Sequence, residues 1–188
     1  MEREDSVAKI IKCPPRSLII LCGPAGSGKS TFAKKHFVQE QVVSSDACRA
    51  LVCDDPANIE ASADAFDVLY SIVRARMKFE RITIVDATTL TKESRKRLLN
   101  IAKEYDAPTT LIFFQVPLEI CLERNRARDR FVPVEVIERH CQLAEKAAGQ
   151  VEQEGFSQVH FLQPAEIDNA SLMMDFSRWV EKQKVNQS

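Results

Sequence analysis

Five short runs of mostly apolar residues recur along the chain, and each is bounded by polar or turn-forming residues. Such short, continuous runs are typical of strands that are buried on both faces of a sheet. They predict strands at residues 17–22, 41–45, 81–87, 110–116 and 159–162.

The segments between these runs carry apolar residues at helical spacing, most clearly in residues 57–79, where Ala65, Leu69 and Ile72 share one face. The alternation of strands and helices indicates an α/β protein with a five-stranded, mostly parallel sheet and helices on both faces. Further helices are predicted at residues 30–37, 91–105, 133–154 and 171–183, and from residue 117 onward.

The chain has 188 residues, a length that suits one compact domain. Residues 1–16 are charged and then interrupted by Pro14 and Pro15, so we interpret them as a flexible lead-in. No linker, repeat or low-complexity tract divides the remainder. Residues 17–188 are therefore predicted to form a single domain.

Composition and charge exclude several classes of protein. The net charge of −1 leaves no global basic field for gripping long duplex DNA, although a local basic patch is compatible with it. Six cysteines without CxxC spacing and three scattered histidines do not match a zinc site.

No segment approaches the roughly 18 apolar residues of a membrane-spanning helix, and the N-terminus has no apolar signal region. We expect a cytoplasmic protein with free thiols and no membrane contact.

Residues 23–30, GPAGSGKS, match the Walker A pattern and follow a predicted strand. Glycines let the backbone curl around an anion with several N–H groups pointing inward, and the start of a helix adds its positive end. Lys29 is expected to reach the β and γ phosphates, and Ser30 to hold Mg²⁺. Thr31 can reach the α-phosphate. The predicted ATP-binding residues are Gly23, Ala25, Gly26, Ser27, Gly28, Lys29, Ser30 and Thr31.

Two acidic residues end predicted strands, at the edge of a parallel sheet where ligands bind. Asp46 can accept the proton of an acceptor hydroxyl, and Arg49 would share its face of a helical turn and clamp an acceptor phosphate. The alternative is that Asp46 is a helix N-cap and Arg49 an unrelated surface residue. Asp86 is expected to touch Mg²⁺ through water or to position the acceptor; alternatively it is a structural acid that binds loop amides.

Residues 123–130, ERNRARDR, contain four arginines. Arg124 and Arg128 are four residues apart, so both can approach phosphates from one helical face and stabilise transition-state charge. Arg130 falls on another face or past the end of the helix. A solvated basic helix is the plainer interpretation of such a run, but its position after the fourth strand favours a mobile lid at about residues 121–140.

These residues together resemble the 5′-OH polynucleotide kinase family, and above all the kinase domain of bacterial RNA-repair polynucleotide kinase-phosphatases. The matching stretches are GPAGSGKST at 23–31, SSDACRALVCDD at 44–55, AFDVLYSIV at 65–73, VDAT at 85–88 and CLERNRARDRFVPVEVIERH at 121–140.

The resemblance implies a P-loop NTPase fold with a helical lid, ATP and Mg²⁺ as cofactors, and 5′-OH ends of single-stranded DNA or RNA as partners. It implies that Asp46 is the general base, that Arg49 contacts the acceptor phosphate, and that Arg124 and Arg128 contact the ATP phosphates. The larger bacterial enzymes append phosphatase and ligase-like modules. Thr89 stands where members of the family often have Asn.

Two other functions stay open. A small-molecule P-loop kinase is the first, and the position of Arg49 beside Asp46 argues against it. A nucleotide-dependent binding or switch module without transfer chemistry is the second, and Asp46 together with a lid argues against it. For a nucleic acid, a local groove suffices. Candidate basic residues for such a groove are Arg49, Arg74, Arg76 and the run at 95–97.

Overall fold

The computed structural model describes residues 9–127 and 131–177. The strands in this part of the chain are β1 (Ile10–Cys13), β2 (Leu18–Cys22), β3 (Val42–Ser44), β4 (Thr83–Asp86), β5 (Thr109–Phe114), β6 (Gln158–Leu162) and β7 (Ser171–Met174). The helices are α1 (Lys29–His36), α2 (Ser45–Cys53), α3 (Ser62–Lys78), α4 (Lys92–Glu104), α5 (Leu118–Arg126), α6 (Val134–Ala148) and α7 (Pro164–Ile167). Short 3₁₀ turns lie at Gln39–Gln41 and Val151–Gln153.

The main sheet has five parallel strands in the order β3-β4-β2-β5-β6. Each of the five apolar runs supplies one strand, which confirms the predicted α/β fold and its five-stranded sheet. Ile20 of β2 lies opposite Val85 of β4 and Leu111 of β5. All five residues of β2 are buried because this strand is central and covered on both faces.

Alternate residues of β2 enter two separate cores. Leu18, Ile20 and Cys22 pack in the core that α3 and α4 cover, whereas Ile19 and Leu21 pack in the core that α1 and α5 cover. Burying a Leu or Ile side chain contributes about 1.5–3 kcal/mol relative to leaving it exposed, so this strand anchors both layers. No disulfide joins the six cysteines, all of which lie within the described residues.

Residues 171–174 form a strand, so the helix predicted for residues 171–183 is wrong at its start. β7 pairs in parallel with β1 in a separate two-stranded sheet, with Ile10 opposite Ser171. Strand pairing with a distant segment outweighs the weak local preference of such a short stretch. The remainder of the predicted helix, from residue 178, lies outside the described residues.

The same pairing corrects the interpretation of the N-terminal segment. Residues 10–13 are a strand rather than part of a lead-in, and Ile11 and Cys13 are fully buried. Residues 1–8 lie outside the described part of the chain. Among the helices that the structure describes, none is both long and apolar enough to cross a membrane.

Candidate active site

The phosphate-binding loop connects β2 to α1 and is packed tightly against α5. Gly26 has a φ of 85°, which favours glycine, and a Cβ at this position would lie 2.5 Å from the carbonyl oxygen of Cys121. Gly28 precedes α1 with a φ of 97°. The backbone of α5 therefore sets how closely the loop can curl, and only glycine fits at Gly26.

The ammonium group of Lys29 lies inside the curve of this loop. Its Nζ donates hydrogen bonds to the carbonyl oxygens of Gly23 at 2.9 Å and Pro24 at 2.7 Å, and to Ser27 Oγ at 3.2 Å. The residue is only 7% exposed. The structure thus places the Lys29 ammonium within the loop that is predicted to hold the phosphates.

Arg124 approaches the same loop from α5. Its Nη1 donates a hydrogen bond to the backbone oxygen of Ser27 at 3.2 Å, and it lies 3.3 Å from where a Cβ on Gly28 would be. The structure thus places Arg124 at the phosphate loop. Arg128, its predicted partner, lies outside the described residues, as does Arg130.

Asp86 is the last residue of β4 and lines the site beside the phosphate loop. It is 8% exposed. Burial raises the pKa of its carboxyl group, and the charge of Lys29 and the hydroxyl of Ser30 oppose that rise. A hydroxyl and a carboxylate side by side are the oxygen donors that Mg²⁺ prefers when it keeps several waters, so the residues present fit this ion. In the described part of the chain no cluster of three His, Cys, Asp or Glu residues could hold a metal by itself.

Asp46 lies in the first turn of α2 and forms an ion pair with Nη2 of Arg49, one turn along the same face. The side chain of Arg49 is 11% exposed and that of Asp46 is 50% exposed. Arg49 Nε also donates to the backbone oxygen of Pro56 at 2.9 Å. The N-cap of α2 is Ser44, whose Oγ accepts a hydrogen bond from Ala47 N–H. The alternative interpretation of Asp46 as the N-cap is therefore wrong.

One cleft of about 290 Å³ brings these groups together. It runs from the phosphate loop to the start of α2, and its polar lining includes Lys29, Ser30, Asp46, Arg49 and Asp86. The carboxyl ends of β2, β3 and β4 meet at this edge because the strands are parallel and adjacent. Ala25, Gly26, Gly28, Lys29 and Ser30 of the predicted loop residues thus share one cleft with both acidic residues, whereas Gly23, Ser27 and Thr31 do not line it.

A family model described as an AAA domain, AAA_33, matches residues 18–148. This range holds the phosphate loop, both acidic residues, α5 and α6. The chain belongs to this AAA-domain family.

Three relatives show how the AAA-domain protein compares with known proteins. The L-seryl-tRNA(Sec) kinase of Methanococcus maripaludis is 31% identical over 125 residues, which are 64% of this chain and 49% of the relative. A chain of the Pnkp1/Rnl/Hen1 RNA repair complex has a TM-score of 0.60 at 24% identity, over 79% of this chain and 49% of that one. A gluconokinase from Sinorhizobium meliloti has a TM-score of 0.52 at 18% identity, over 82% and 89%.

The structural likenesses show that the AAA-domain protein has the fold of P-loop kinases. It spans about half the length of both the tRNA kinase and the repair-complex chain.

The loop after β4 supports the phosphate loop in a way that sequence reasoning missed. Gly23 N–H donates to the backbone oxygen of Thr88 at 3.1 Å. Thr89, which has a φ of 46° and is buried, donates its hydroxyl to the backbone oxygen of Leu21 at 2.6 Å. The two loops are therefore joined by hydrogen bonds at the point where the phosphate loop leaves β2.

Arg95 holds this second loop in place, and it is not the exposed basic residue that the run at 95–97 suggests. It is 1% exposed. Its Nη1 donates to the backbone oxygens of Thr89 and Leu90 at 3.0 and 2.8 Å. Its Nε and Nη2 bind Glu154 at 2.7 and 2.6 Å in a bidentate ion pair. The run of basic residues suggested that Arg95 lies on a solvated helix face. Its burial depends on Glu154, a partner 59 residues away that the local sequence does not reveal.

Proposed function

We propose that this protein transfers the γ-phosphate of ATP to the 5′-hydroxyl end of a DNA or RNA strand. The observation that carries the proposal is the Asp46–Arg49 ion pair, which lines the same cleft as the phosphate loop. A loop of this kind is shared by many nucleotide-binding proteins and does not select an acceptor. A carboxylate beside an arginine at the open end of the cleft narrows the choice, because the pair suits an acceptor hydroxyl that has a phosphate close by.

The donor half of the reaction uses the loop residues. ATP rests on Gly26–Thr31, and the Lys29 ammonium meets the β and γ phosphates. Ser30 and Asp86 would hold Mg²⁺, which neutralises charge on the phosphates when it is bound. Arg124 already contacts the loop at Ser27, so a small shift would let it reach the transferring phosphoryl group. Arg128 is proposed as its partner from the spacing alone.

The acceptor half uses α2. The Asp46 carboxylate orients the 5′-hydroxyl and accepts its proton as the oxygen attacks the γ-phosphorus. The bond between the γ-phosphorus and the β–γ bridging oxygen breaks, and ADP leaves with that oxygen. Arg49 binds the phosphate on the 3′ side of the terminal nucleoside. The side chain of Asp46 is half exposed, so a strand end can reach it without a large rearrangement.

We propose that the protein acts in the cytoplasm, a setting that suits its six free cysteines. From the resemblance to polynucleotide kinases, we propose that it repairs strand ends together with phosphatase and ligase modules. The likeness to a chain of an RNA repair complex supports this repair role at the level of the fold.

A second candidate is supported by one observation. The L-seryl-tRNA(Sec) kinase relative suggests an acceptor hydroxyl that is carried on a tRNA rather than at a strand's own 5′ end. In that case Arg49 would bind a tRNA phosphate, and the roles of the loop residues and Asp46 would stay the same.

A transfer assay with γ-labelled ATP and Mg²⁺ tests the proposal. The acceptors are matched single-stranded DNA and RNA oligonucleotides with 5′-OH or 5′-phosphate ends, together with seryl-tRNA and a panel of sugars. We expect label on the 5′-OH strands only. Asp46→Asn should lower turnover by about 10²-fold or more, as for a positioned general base, and leave ATP affinity nearly unchanged. Asp64→Asn, at an exposed acid on α3, is the matched control.

Two outcomes would overturn the proposal. Label on seryl-tRNA or a sugar, without label on the 5′-OH strands, would assign another acceptor. Turnover of Asp46→Asn close to that of the wild type would remove Asp46 from the role of base.

A further inference from the structure

His140, on α6, lies directly against the phosphate loop, and nothing above gives it a role. Its Nδ1 accepts a hydrogen bond from the backbone N–H of Ala25 at 3.4 Å. It lines the same cleft as Lys29 and Asp86. An imidazole nitrogen that accepts a hydrogen bond carries no proton, so this geometry assigns the neutral ring with its proton on Nε2.

The surroundings of the ring favour the same neutral form. Burial, and then the positive charges of Lys29 and Arg139, lower the pKa of His140 to about 4. The carboxylates of Asp46 and Asp86 also line this cleft, but the net effect is the depressed value. At neutral pH the ring therefore keeps the lone pair with which Nδ1 accepts from Ala25.

The position of Ala25 indicates which phosphate is involved. Lys29 Nζ, which serves the β and γ phosphates in a Walker loop, is bonded to the carbonyl oxygens of Gly23 and Pro24. These two residues come immediately before Ala25. The inner phosphates lie toward the other end of the loop, where Gly28 leads into α1. Ala25 is thus at the end that receives the terminal phosphate.

We propose that His140 is a positioning residue for the γ-phosphate, because its neutral imidazole holds the Ala25 amide and with it the outer end of the phosphate loop. The inference rests on the binding of ATP in the proposed function. His140 does not touch the reacting atoms; it acts through the loop backbone. His140 lies on α6, so the same bond joins the phosphate loop to that helix.

Calorimetric titration with a non-hydrolysable ATP analogue and, separately, with ADP tests this role. We expect His140→Ala to bind the ATP analogue about fivefold more weakly than the wild type, the value of one net hydrogen bond. Its ADP affinity should change by less than about twofold, since ADP lacks the phosphate that rests on the outer end. His140→Asn should restore the affinity for the ATP analogue, because the amide oxygen of Asn can stand near the Nδ1 position.

Two further variants make the test specific. Gln142→Ala, at an exposed and uncharged position on α6, should behave like the wild type. His140→Gln places its amide oxygen near the Nε2 position, so it should bind like His140→Ala. It also replaces that variant if His140→Ala fails to fold in a thermal melt.

Each contrary result has a distinct meaning. An equal loss of affinity for ADP and the ATP analogue would overturn the inference, since it would make His140 a general support of the loop. Unchanged affinities in His140→Ala, or no recovery in His140→Asn, would overturn it as well. If the wild type binds neither nucleotide, the proposed function falls, and the inference falls with it.

Discussion

At the loop end of the cleft, polar side chains are buried and bound to backbone atoms, whereas at the Asp46 end they are more exposed and bound to each other. Lys29 is 7% exposed and donates to three groups of its own loop. The side chain of Asp46 is 50% exposed and pairs with Arg49. The same triphosphate group binds in every turnover, so a preorganised cradle suits it. An end that admits the proposed acceptor strand has to stay open to solvent.

The contrast extends to what lies behind each end. Behind the loop, Thr88 and Thr89 are tied to Gly23 and Leu21, and Arg95 fixes that second loop through Glu154. At the Asp46 end, Arg49 Nε donates to the carbonyl oxygen of Pro56, and Ser44 caps the start of α2. Substitutions at the loop end should therefore affect stability and ATP binding together, whereas those at the Asp46 end should affect turnover and acceptor binding and leave ATP affinity nearly unchanged.

The largest effect is expected for Lys29→Ala. This change removes the buried charge that meets the β and γ phosphates, so turnover should fall by about 10²–10³-fold, as when one preorganised donor to transition-state charge is lost. Initial rates of label transfer measure it. Lys103→Ala, at an exposed position on α4, is the control and should leave the rate unchanged. A Lys29→Ala rate within tenfold of the wild type would contradict the assignment of the loop.

Arg95→Ala should be the most destabilising change behind the loop. It leaves the carboxylate of Glu154, which is 6% exposed, without its arginine, and breaking such a pair costs about 3–5 kcal/mol. The free energy of unfolding in urea measures the loss. Arg97→Ala, two residues away, removes an exposed pair with Asp67 at 3.8 Å and the contact of its guanidinium with the Tyr70 ring at 5.1 Å, and should cost about 2 kcal/mol or less. An equal loss of unfolding free energy in the two variants would contradict the structural role of Arg95.

A smaller and more selective effect is expected for Arg49→Ala. The KM for the oligonucleotide should rise by about tenfold or more, the value of a lost hydrogen bond to a charged group, and ATP affinity should not change. Arg49→Lys should recover little, because an ammonium cannot reproduce a bidentate contact. Arg81→Ala, at an exposed arginine just before β4 and away from the cleft, is the control. A normal KM in Arg49→Ala would leave Arg49 as a partner of Asp46 alone.

The smallest effect is a dependence of stability on pH that originates at the loop end. The pKa of His140 is lowered to about 4 in the folded protein, against about 6.5 in an unfolded chain. Between these values the unfolded chain binds a proton that the folded protein does not, so stability falls as the pH falls. His140→Asn should show a shallower decline in Tm from pH 7 to pH 5. Parallel curves for the two proteins would argue against a neutral His140.

Local patterns were sufficient for the main sheet and for the polar cleft residues that directly follow its strands. Each strand of the main sheet is a short apolar run, and parallel strands bring the residues after them to one edge, so Lys29, Asp46 and Asp86 could be expected to meet. The predictions that were wrong concern residues whose structure depends on partners far away along the chain. Residues 171–174 became a strand because β1 pairs with them. Arg95 is buried because Glu154 reaches it from another element.

The same limit explains why the sequence alone predicts no role for His140. Its contact with Ala25 joins residues 115 positions apart, and a histidine on a helix gives no local sign of such a partner. Thr89 is similar, since its buried hydroxyl is paired with Leu21 in another strand. Side-chain contacts between elements of the fold follow from its packing, which spacing along the chain does not reveal.

The separate pairing of β1 with β7 has a consequence for how the protein is made. The paired residues are roughly 160 positions apart, so Ile11 and Cys13 leave the ribosome long before the strand that meets them. β2 finds β4 and β5 earlier, and the phosphate loop can form while synthesis continues. A nascent chain halted before residue 171 would carry an unpaired apolar strand beside a finished nucleotide site, and chaperones would be expected to hold it there.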